Sequence, residues 1–339
     1  MNIILHKLIE GKDLTKTEAE ETFQRIIEGK VGSIPLTALL LALRLKGETP
    51  DEIAGAALSL RKNAMAFERP NYLFADSCGT GGDGSGTFNI STAAAFVSAS
   101  CGLPIVKHGN RSLTSKCGSA DVLQALGANI DLSPQMARKC LDETSICFLF
   151  APLYHQGVSH AMNVRKQIGT RTIFNILGPL INPASPSVQI IGVYKPELTR
   201  PIAETLKLLG TKSALVVHGS GLDEIATHGP TKANILRNGV IKDIVITPKS
   251  LGLKLTNLSA QDGGDHETNA KILLSILKGK GRPEHIDIVA ANVGALLYLA
   301  GKVETMASGV SVAKKQIKSG LPYKTLKAFI DFTLCEITA

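Results

Sequence analysis

The sequence predicts an α/β protein: a small helical unit followed by a larger domain built on a parallel sheet. Three observations carry that reading. The first seventy residues hold helix starts and no alternating pattern; from Asn71 onward short apolar runs alternate with glycine-rich turns and helical stretches; and 339 residues, 44% of them hydrophobic, are enough for two domains with buried cores.

In chain order, Thr15-Lys16-Thr17-Glu18 is a capping box that opens a helix with Ala19, Phe23, Ile26 and Ile27 on one side. Residues 34–45 read as a strongly apolar helix stopped by Gly47, and Thr49-Pro50-Asp51-Glu52 starts the next with proline at its first position. This helical unit runs to about Arg69-Pro70. Strands are expected at 72–76, 103–106, 146–150, 188–193 and 214–217, each followed by turn residues and a helical stretch, which is the signature of parallel strands joined by crossovers. Asn238-Gly239 between two apolar runs predicts a hairpin, and helices are expected near 267–277, 286–300 and 303–317.

The chain carries 37 Lys+Arg against 29 Asp+Glu, a net charge of +8, with a pI near 9.1. Basic residues are spread along it, Trp is absent and aromatics make 4%, so stacking platforms for nucleic acid are scarce and an anionic small molecule is the expected partner. The first residues lack the pattern of a signal peptide, and the longest apolar runs fall short of the roughly 20 residues of a membrane span. Six cysteines without a Cys-x-x-Cys pair read as reduced thiols, which points to the cytoplasm.

The chemistry gathers in three segments. After the first expected strand comes Cys78-Gly79-Thr80-Gly81-Gly82-Asp83-Gly84-Ser85-Gly86, with Asn89-Ile90-Ser91-Thr92 leading into a helix from Ala93. Glycines let the backbone approach a phosphate, and the helix start behind them adds free N–H donors. The Gly-x-Gly-x-x-Gly pattern also fits a dinucleotide loop, but the next strand ends in Lys107-His108 where an acidic ribose ligand is expected, and no Gly-Lys-Ser/Thr follows. A purely structural glycine turn is the plainer alternative. The second segment, Lys107 to Asp121, is dense in donors at a strand's carboxyl end, with Lys107, Ser115 and Ser119 as candidate phosphate contacts. The third, His218 to Glu224, ends in two adjacent carboxylates that suit Mg2+ or simply begin a helix.

Together, Gly79-Thr80-Gly81-Gly82-Asp83, Asn89-x-Ser91-Thr92, Lys107-His108-Gly109-Asn110-Arg111, Gly118-Ser119-Ala120-Asp121, Asp223-Glu224 and the stretch from Arg165 through Arg171, Asn175 and Gly178 to Asn182-Pro183 resemble the anthranilate phosphoribosyltransferase family over nearly the whole chain. The resemblance implies transfer of a 5-phosphoribosyl group from phosphoribosyl diphosphate to anthranilate in tryptophan biosynthesis. It implies a nucleoside phosphorylase/phosphoribosyltransferase-like fold with a mostly parallel central sheet, in which residues 1–70 form a helical domain completed by helices within about 154–183, and residues 71–339 form the catalytic domain. It further implies a homodimer joined through the helical domain.

Carried over by position, Gly79, Gly82, Asp83, Thr87, Asn89, Ser91, Thr92, Lys107, Ser115 and Ser119 would hold phosphoribosyl diphosphate. Gly79, His108, Asn110 and Arg165 would meet anthranilate, and Ser91, Asp223 and Glu224 would bind Mg2+. No residue is assigned as general acid or base. Ser77-Cys78, Ser112-Leu113-Thr114 and Cys117 depart from the residues more usual at those points in the family. The same architecture also serves pyrimidine nucleoside phosphorylases and nucleic-acid-binding relatives that lack the catalytic motifs; Lys107-His108-Gly109-Asn110 argues against the first, and the intact glycine loop with Asp223-Glu224 against the second.

Overall fold

The computed structural model describes residues 1–112 and 116–335. Helices α1 (Asn2–Ile9), α2 (Lys16–Ile27), α3 (Ser33–Lys46) and α4 (Pro50–Lys62) come first. Thr15 and Thr49 accept from the backbone N–H of Glu18 and Glu52, which reach back to close both capping boxes. Buried Glu52 also accepts from the Leu14 amide at 2.9 Å and from Lys46 at 3.0 Å, tying the start of α4 to its neighbours. Gly47, at φ 89°, ends α3 as expected.

The chain then alternates through β1 (Ala75–Gly79), α5 (Ile90–Ser100), β2 (Ile105–Gly109), α6 (Ser119–Ala125), α7 (Pro134–Thr144) and β3 (Ile146–Phe150). It returns to the first helices through α8 (Ala151–Tyr154), α9 (Ser159–Ile168) and α10 (Phe174–Leu177), then re-enters the sheet at β4 (Val188–Gly192), α11 (Thr199–Leu208) and β5 (Ser213–Gly219). Next come β6 (Thr231–Arg237) and β7 (Val240–Ile246), then α12 (His266–Leu277), α13 (Pro283–Leu299), α14 (Met306–Ser319) and α15 (Leu321–Cys335).

Among the described residues the sheet has seven strands in the order β3-β2-β1-β4-β5-β6-β7. β1 to β5 are parallel, and the β6–β7 hairpin adds antiparallel strands at one edge. Asn238 and Gly239 both have positive φ, the backbone a tight two-residue hairpin turn demands. The order reverses between β1 and β4, and such switch points open a crevice at the strands' carboxyl ends.

Two buried layers cover the sheet. Ala75, Ile105, Ile146, Ile190 and Leu215 pack in one cluster with residues of α5 and α13. On the opposite face Ile191, Val193, Ala214 and Val216 share a cluster with Phe23, Leu40, Val164 and Phe174 from the helices. Residues of α9 and α10 thus pack with α1–α4, directly upon the sheet.

Several boundaries differ from expectation. The strand expected at 72–76 begins at Ala75 and runs on to Gly79, while Tyr72 stays exposed with its hydroxyl on Asp142 at 2.6 Å. The strand expected at 103–106 becomes β2 at Ile105–Gly109, because Lys107 and His108 continue the ladder opposite Phe148 and Leu149. Pairing outweighs the polar side chains, and it fixes both residues rigidly. The helix expected from Ala93 starts at Ile90, which brings Ser91 and Thr92 into its first turn. Asp223-Glu224 begins no helix; it lies in the irregular stretch between β5 and β6. Helix α15 was not expected. Among the described residues, no helix is long and apolar enough to cross a membrane.

Candidate functional site

The site gathers where β1, β2, β4 and β5 end, and each of those strands ends in glycine. A Cβ on Gly79 would lie 2.2 Å from Asp223 Oδ2, and one on Gly192 would lie 1.5 Å from the Asp223 carbonyl oxygen. A side chain at Gly192 would displace the backbone of the segment carrying the two carboxylates, and one at Gly79 would move the Asp223 carboxylate. Gly219 is crossed in the same way by the Glu224 carbonyl. The acidic pair is therefore laid across the switch point by backbone contacts at Gly192 and Gly219 that tolerate no methyl group.

The glycine loop reaches the acidic pair from the other side. The Gly81 amide donates to Asp223 Oδ2 at 2.7 Å, and the Asp223 amide donates to Asp83 Oδ2 at 3.2 Å. Asp83 is in turn held by the Ser85 amide at 3.0 Å and the Ser85 hydroxyl at 2.9 Å, so it shapes the loop from within. Thr87 continues the loop beside Ser85 and bridges to Asp262. A contact missing from the sequence reading is Arg171, whose guanidinium donates to the Gly82 carbonyl and stacks on Tyr194 at 4.1 Å. It lay within the Arg165 to Arg171 stretch of the family resemblance, yet nothing in the spacing pointed it at the loop.

The first turn of α5 supplies Ser91 and Thr92. Lys107 Nζ donates to the Ser77 carbonyl at 2.7 Å and to Ser91 Oγ at 3.2 Å; it is almost wholly buried, and among the described residues no carboxylate comes within salt-bridge distance of it. The buried Thr92 hydroxyl has no partner among the described residues. Asn89 is differently occupied: its side chain joins the Cys117 carbonyl at 3.2 Å and Asn269 of α12 at 3.1 Å, tying the helix start to the segment before α6. Ser119 donates to the Asn110 carbonyl at 3.4 Å, and Asn110 itself is exposed after β2. Ser115 lies outside the described residues.

Burial raises the pKa of Asp223, with the Asp83 carboxylate adding to the rise, and burial followed by Asp223 raises that of Glu224 well above the carboxylate range. Lys107 opposes the rise at Glu224, but the pair remains short of positive charge. Among the described residues no three His, Cys, Asp or Glu side chains form a closed metal cage. Two carboxylates beside a hydroxyl and an anion cradle fit a hard cation that takes its remaining ligands from phosphate oxygens and water.

On the helix-facing side of the sheet, His108 is buried, with Nδ1 at 3.2 Å from the Gly178 carbonyl. A carbonyl only accepts, so Nδ1 carries the proton and Nε2, which has no partner among the described residues, keeps its lone pair. Burial, then the neighbouring His155, lower His108 to about 3, and burial lowers His155 to about 4. Arg165, half-buried on α9, lies over Phe174 at 5.1 Å and faces no carboxylate within salt-bridge distance among the described residues; burial lowers its pKa. It is a desolvated guanidinium suited to a bidentate carboxylate guest. Cys78 and Cys117 are pushed up by burial to about 12 and about 11, so both are protonated thiols at neutral pH. A separate depression of about 560 Å3, lined by His218, Lys232 and Asp243 among others, includes none of the loop or acidic-pair residues.

Residues 71–323 match the a/b domain of a glycosyl transferase family, and residues 2–64 match that family's helical bundle domain. The anthranilate phosphoribosyltransferase of Aeromonas hydrophila subsp. hydrophila is 52% identical over 316 residues, spanning 93% of this chain and 92% of its own. That of Sorangium cellulosum is 48% identical over 330 residues, spanning 97% and 95%. Among solved structures, anthranilate phosphoribosyltransferase from Thermus thermophilus is similar at TM-score 0.92 and 38% identity, over 97% of this chain and 99% of its own. The Saccharomyces cerevisiae protein solved with phosphoribosyl diphosphate and Mg is similar at TM-score 0.88 and 29% identity, over 97% and 96%.

The buried neutral histidines predict a pH signature. Unfolded histidines take up protons as pH falls past about 6.5, whereas folded His155 does so only near 4. Its contribution to stability is full above 6.5 and is lost as pH falls towards 4. A His155→Gln variant should therefore show a shallower fall in urea-unfolding stability than the parent from about pH 6.5 to 4.5, the slopes differing by on the order of 1 kcal/mol per pH unit. Parallel curves for the two proteins would contradict the assignment.

Proposed function

The chain belongs to the anthranilate phosphoribosyltransferase family, and on that premise we propose how its cleft transfers the 5-phosphoribosyl group from phosphoribosyl diphosphate to the amine of anthranilate, releasing diphosphate, in tryptophan biosynthesis. The observation that carries the reading is the meeting of glycine loop, buried Lys107 and the Asp223-Glu224 pair at one switch point. The alternatives of a nucleoside phosphorylase or a non-catalytic nucleic-acid binder are not favoured, since relatives about half identical over more than nine-tenths of the chain bear the transferase name.

In this proposal Gly79, Gly82, Asp83, Thr87, Asn89, Ser91, Thr92, Lys107, Ser115 and Ser119 surround phosphoribosyl diphosphate. Loop amides and the first turn of α5 offer donors to its phosphates, and Lys107 supplies a fixed positive charge. Asp83 and Asn89 act chiefly by holding the cradle's shape, since their side chains are already bonded within it. Ser91, Asp223 and Glu224 would hold Mg2+, which would supply charge against the departing diphosphate.

Gly79, His108, Asn110 and Arg165 receive anthranilate. Arg165 grips the carboxylate, and the free Nε2 lone pair of His108 matches an amine N–H. The aromatic amine is uncharged at neutral pH and needs no strong base, so the chain's work is positioning, charge stabilisation and exclusion of water. Residues 1–70 with about 154–183 act as the helical domain and 71–339 as the catalytic domain, and the cleft lies at their junction. The six cysteines, with no Cys-x-x-Cys pair in the sequence, suit a cytoplasmic setting.

A homodimer through the helical domain is supported by Ile3 and Ile9 on α1 and Ile34 and Leu45 on α3, which stand exposed at 73–87%.

Mixing the protein with anthranilate, phosphoribosyl diphosphate and Mg2+ should extinguish anthranilate fluorescence. The Asp223→Asn, Glu224→Gln variant should be slowed by at least about a hundredfold. Equal rates would remove the metal assignment, and no signal from the parent would remove the transferase reading. In sedimentation velocity the parent should run as a dimer and an Ile34→Glu, Leu45→Glu variant as a monomer; a monomeric parent would refute the dimer proposal.

A further inference from the structure

Segment 178–182 carries the chain from α10 back towards β4, and buried polar side chains seize it at nearly every residue. His108 of β2 bonds the Gly178 carbonyl at 3.2 Å, Gln189 of β4 donates to the Pro179 carbonyl at 3.2 Å, and Arg61 of α4 donates to the Leu180 carbonyl at 2.6 Å. Asn182 donates to Asp76 Oδ2 of β1 and to the Val106 carbonyl, both at 2.9 Å. Asp76 and Asn182 are 0% exposed and Gln189 1%. A buried carboxylate and two buried amides are a costly way to fill space that apolar side chains would fill as well, but hydrogen bonds fix direction as packing does not.

The segment's place in the fold gives that rigidity a use. Before it lie α9 and α10 with Arg165; beneath it lies β2 with His108. The segment therefore sets the span between the two groups assigned to anthranilate, one on the helical side and one on the sheet. The diphosphate cradle lies apart from Gln189, whose hydrogen bond goes to segment 178–182 rather than to the glycine loop or the acidic pair; Lys107 points to the opposite face of the sheet from its neighbour His108, although its charge also acts on Asp76, which makes Gln189 the cleaner probe.

We propose that Gln189 and Asp76 are positioning residues for anthranilate, holding segment 178–182 so that His108 and Arg165 stand at the separation the acceptor needs. This rests on the reading of His108 and Arg165 as the acceptor's ligands. Neither residue touches substrate, and displacement of a supporting shell by a fraction of an ångström is enough to weaken a site built on it.

The test is steady-state kinetics with each substrate varied in turn, on the parent, Gln189→Met, Asp76→Asn and Asp76→Ala. Gln189→Met keeps the volume and loses the donor; it should raise KM for anthranilate about tenfold and leave KM for phosphoribosyl diphosphate within about twofold. Asp76→Asn keeps an acceptor for Asn182 and should be milder than Asp76→Ala. Should Asp76→Ala fail to fold, Gln189→Met and Asp76→Asn decide the matter. Equal rises in both KM values, or no change in either for Gln189→Met, would overturn the proposal while leaving the transferase reading intact. A parent that does not use anthranilate would instead overturn the reading beneath it.

Discussion

Strand-end glycines let an acidic loop lie across the sheet. At Gly192 the backbone of Asp223 passes so close that a single methyl group would occupy its carbonyl oxygen. Everything else in the site is arranged around that crossing: Gly81 of the phosphate loop bonds the Asp223 carboxylate, Asp83 bonds its amide, and Ser91 and Lys107 stand beside Glu224. Parallel strands with a reversal of order leave a crevice at their carboxyl ends, and here the crevice is roofed by the chain's own carboxylates.

That placement concentrates negative charge in a poorly solvated spot: burial and the Asp83 carboxylate raise Asp223, and burial and Asp223 raise Glu224. A site so arranged favours a cation that would take its remaining ligands from elsewhere. The side proposed for the acceptor follows the opposite logic. Its histidine is kept neutral by burial, and its arginine is desolvated without a carboxylate of its own among the described residues. One half of the cleft thus gathers buried carboxylates and the other an arginine without a carboxylate, a division that suits the proposed placing of diphosphate and aromatic acid.

Much of this was legible in the sequence, for identifiable reasons. Capping boxes at Thr15 and Thr49, the stop at Gly47 and the Asn238-Gly239 turn are local signals, and local signals were enough. The glycine loop and the acidic pair were visible as motifs. The extension of β2 through Lys107 and His108 was not, because ladder pairing with β3 overrides the polarity by which strands are recognised. Nor was the contact of Arg171 with Gly82 or the polar grip on residues 178–182, since all but the Gln189 bond join positions 70 to 119 residues apart in the chain and leave no periodicity behind. Gly192 fell within the strand expected at 188–193 and Gly219 in the loop expected after 217, and only the acidic segment lying above them gives them their role.

The most direct measurement of the central constraint is calorimetric binding of phosphoribosyl diphosphate, with and without Mg2+, to the parent and to Gly192→Ala. A methyl group there must push Asp223 off the switch point, so the parent should bind far more tightly when Mg2+ is present and the variant should lose most of that gain while still unfolding cooperatively. A variant that folds and keeps the full Mg2+ dependence would contradict the account.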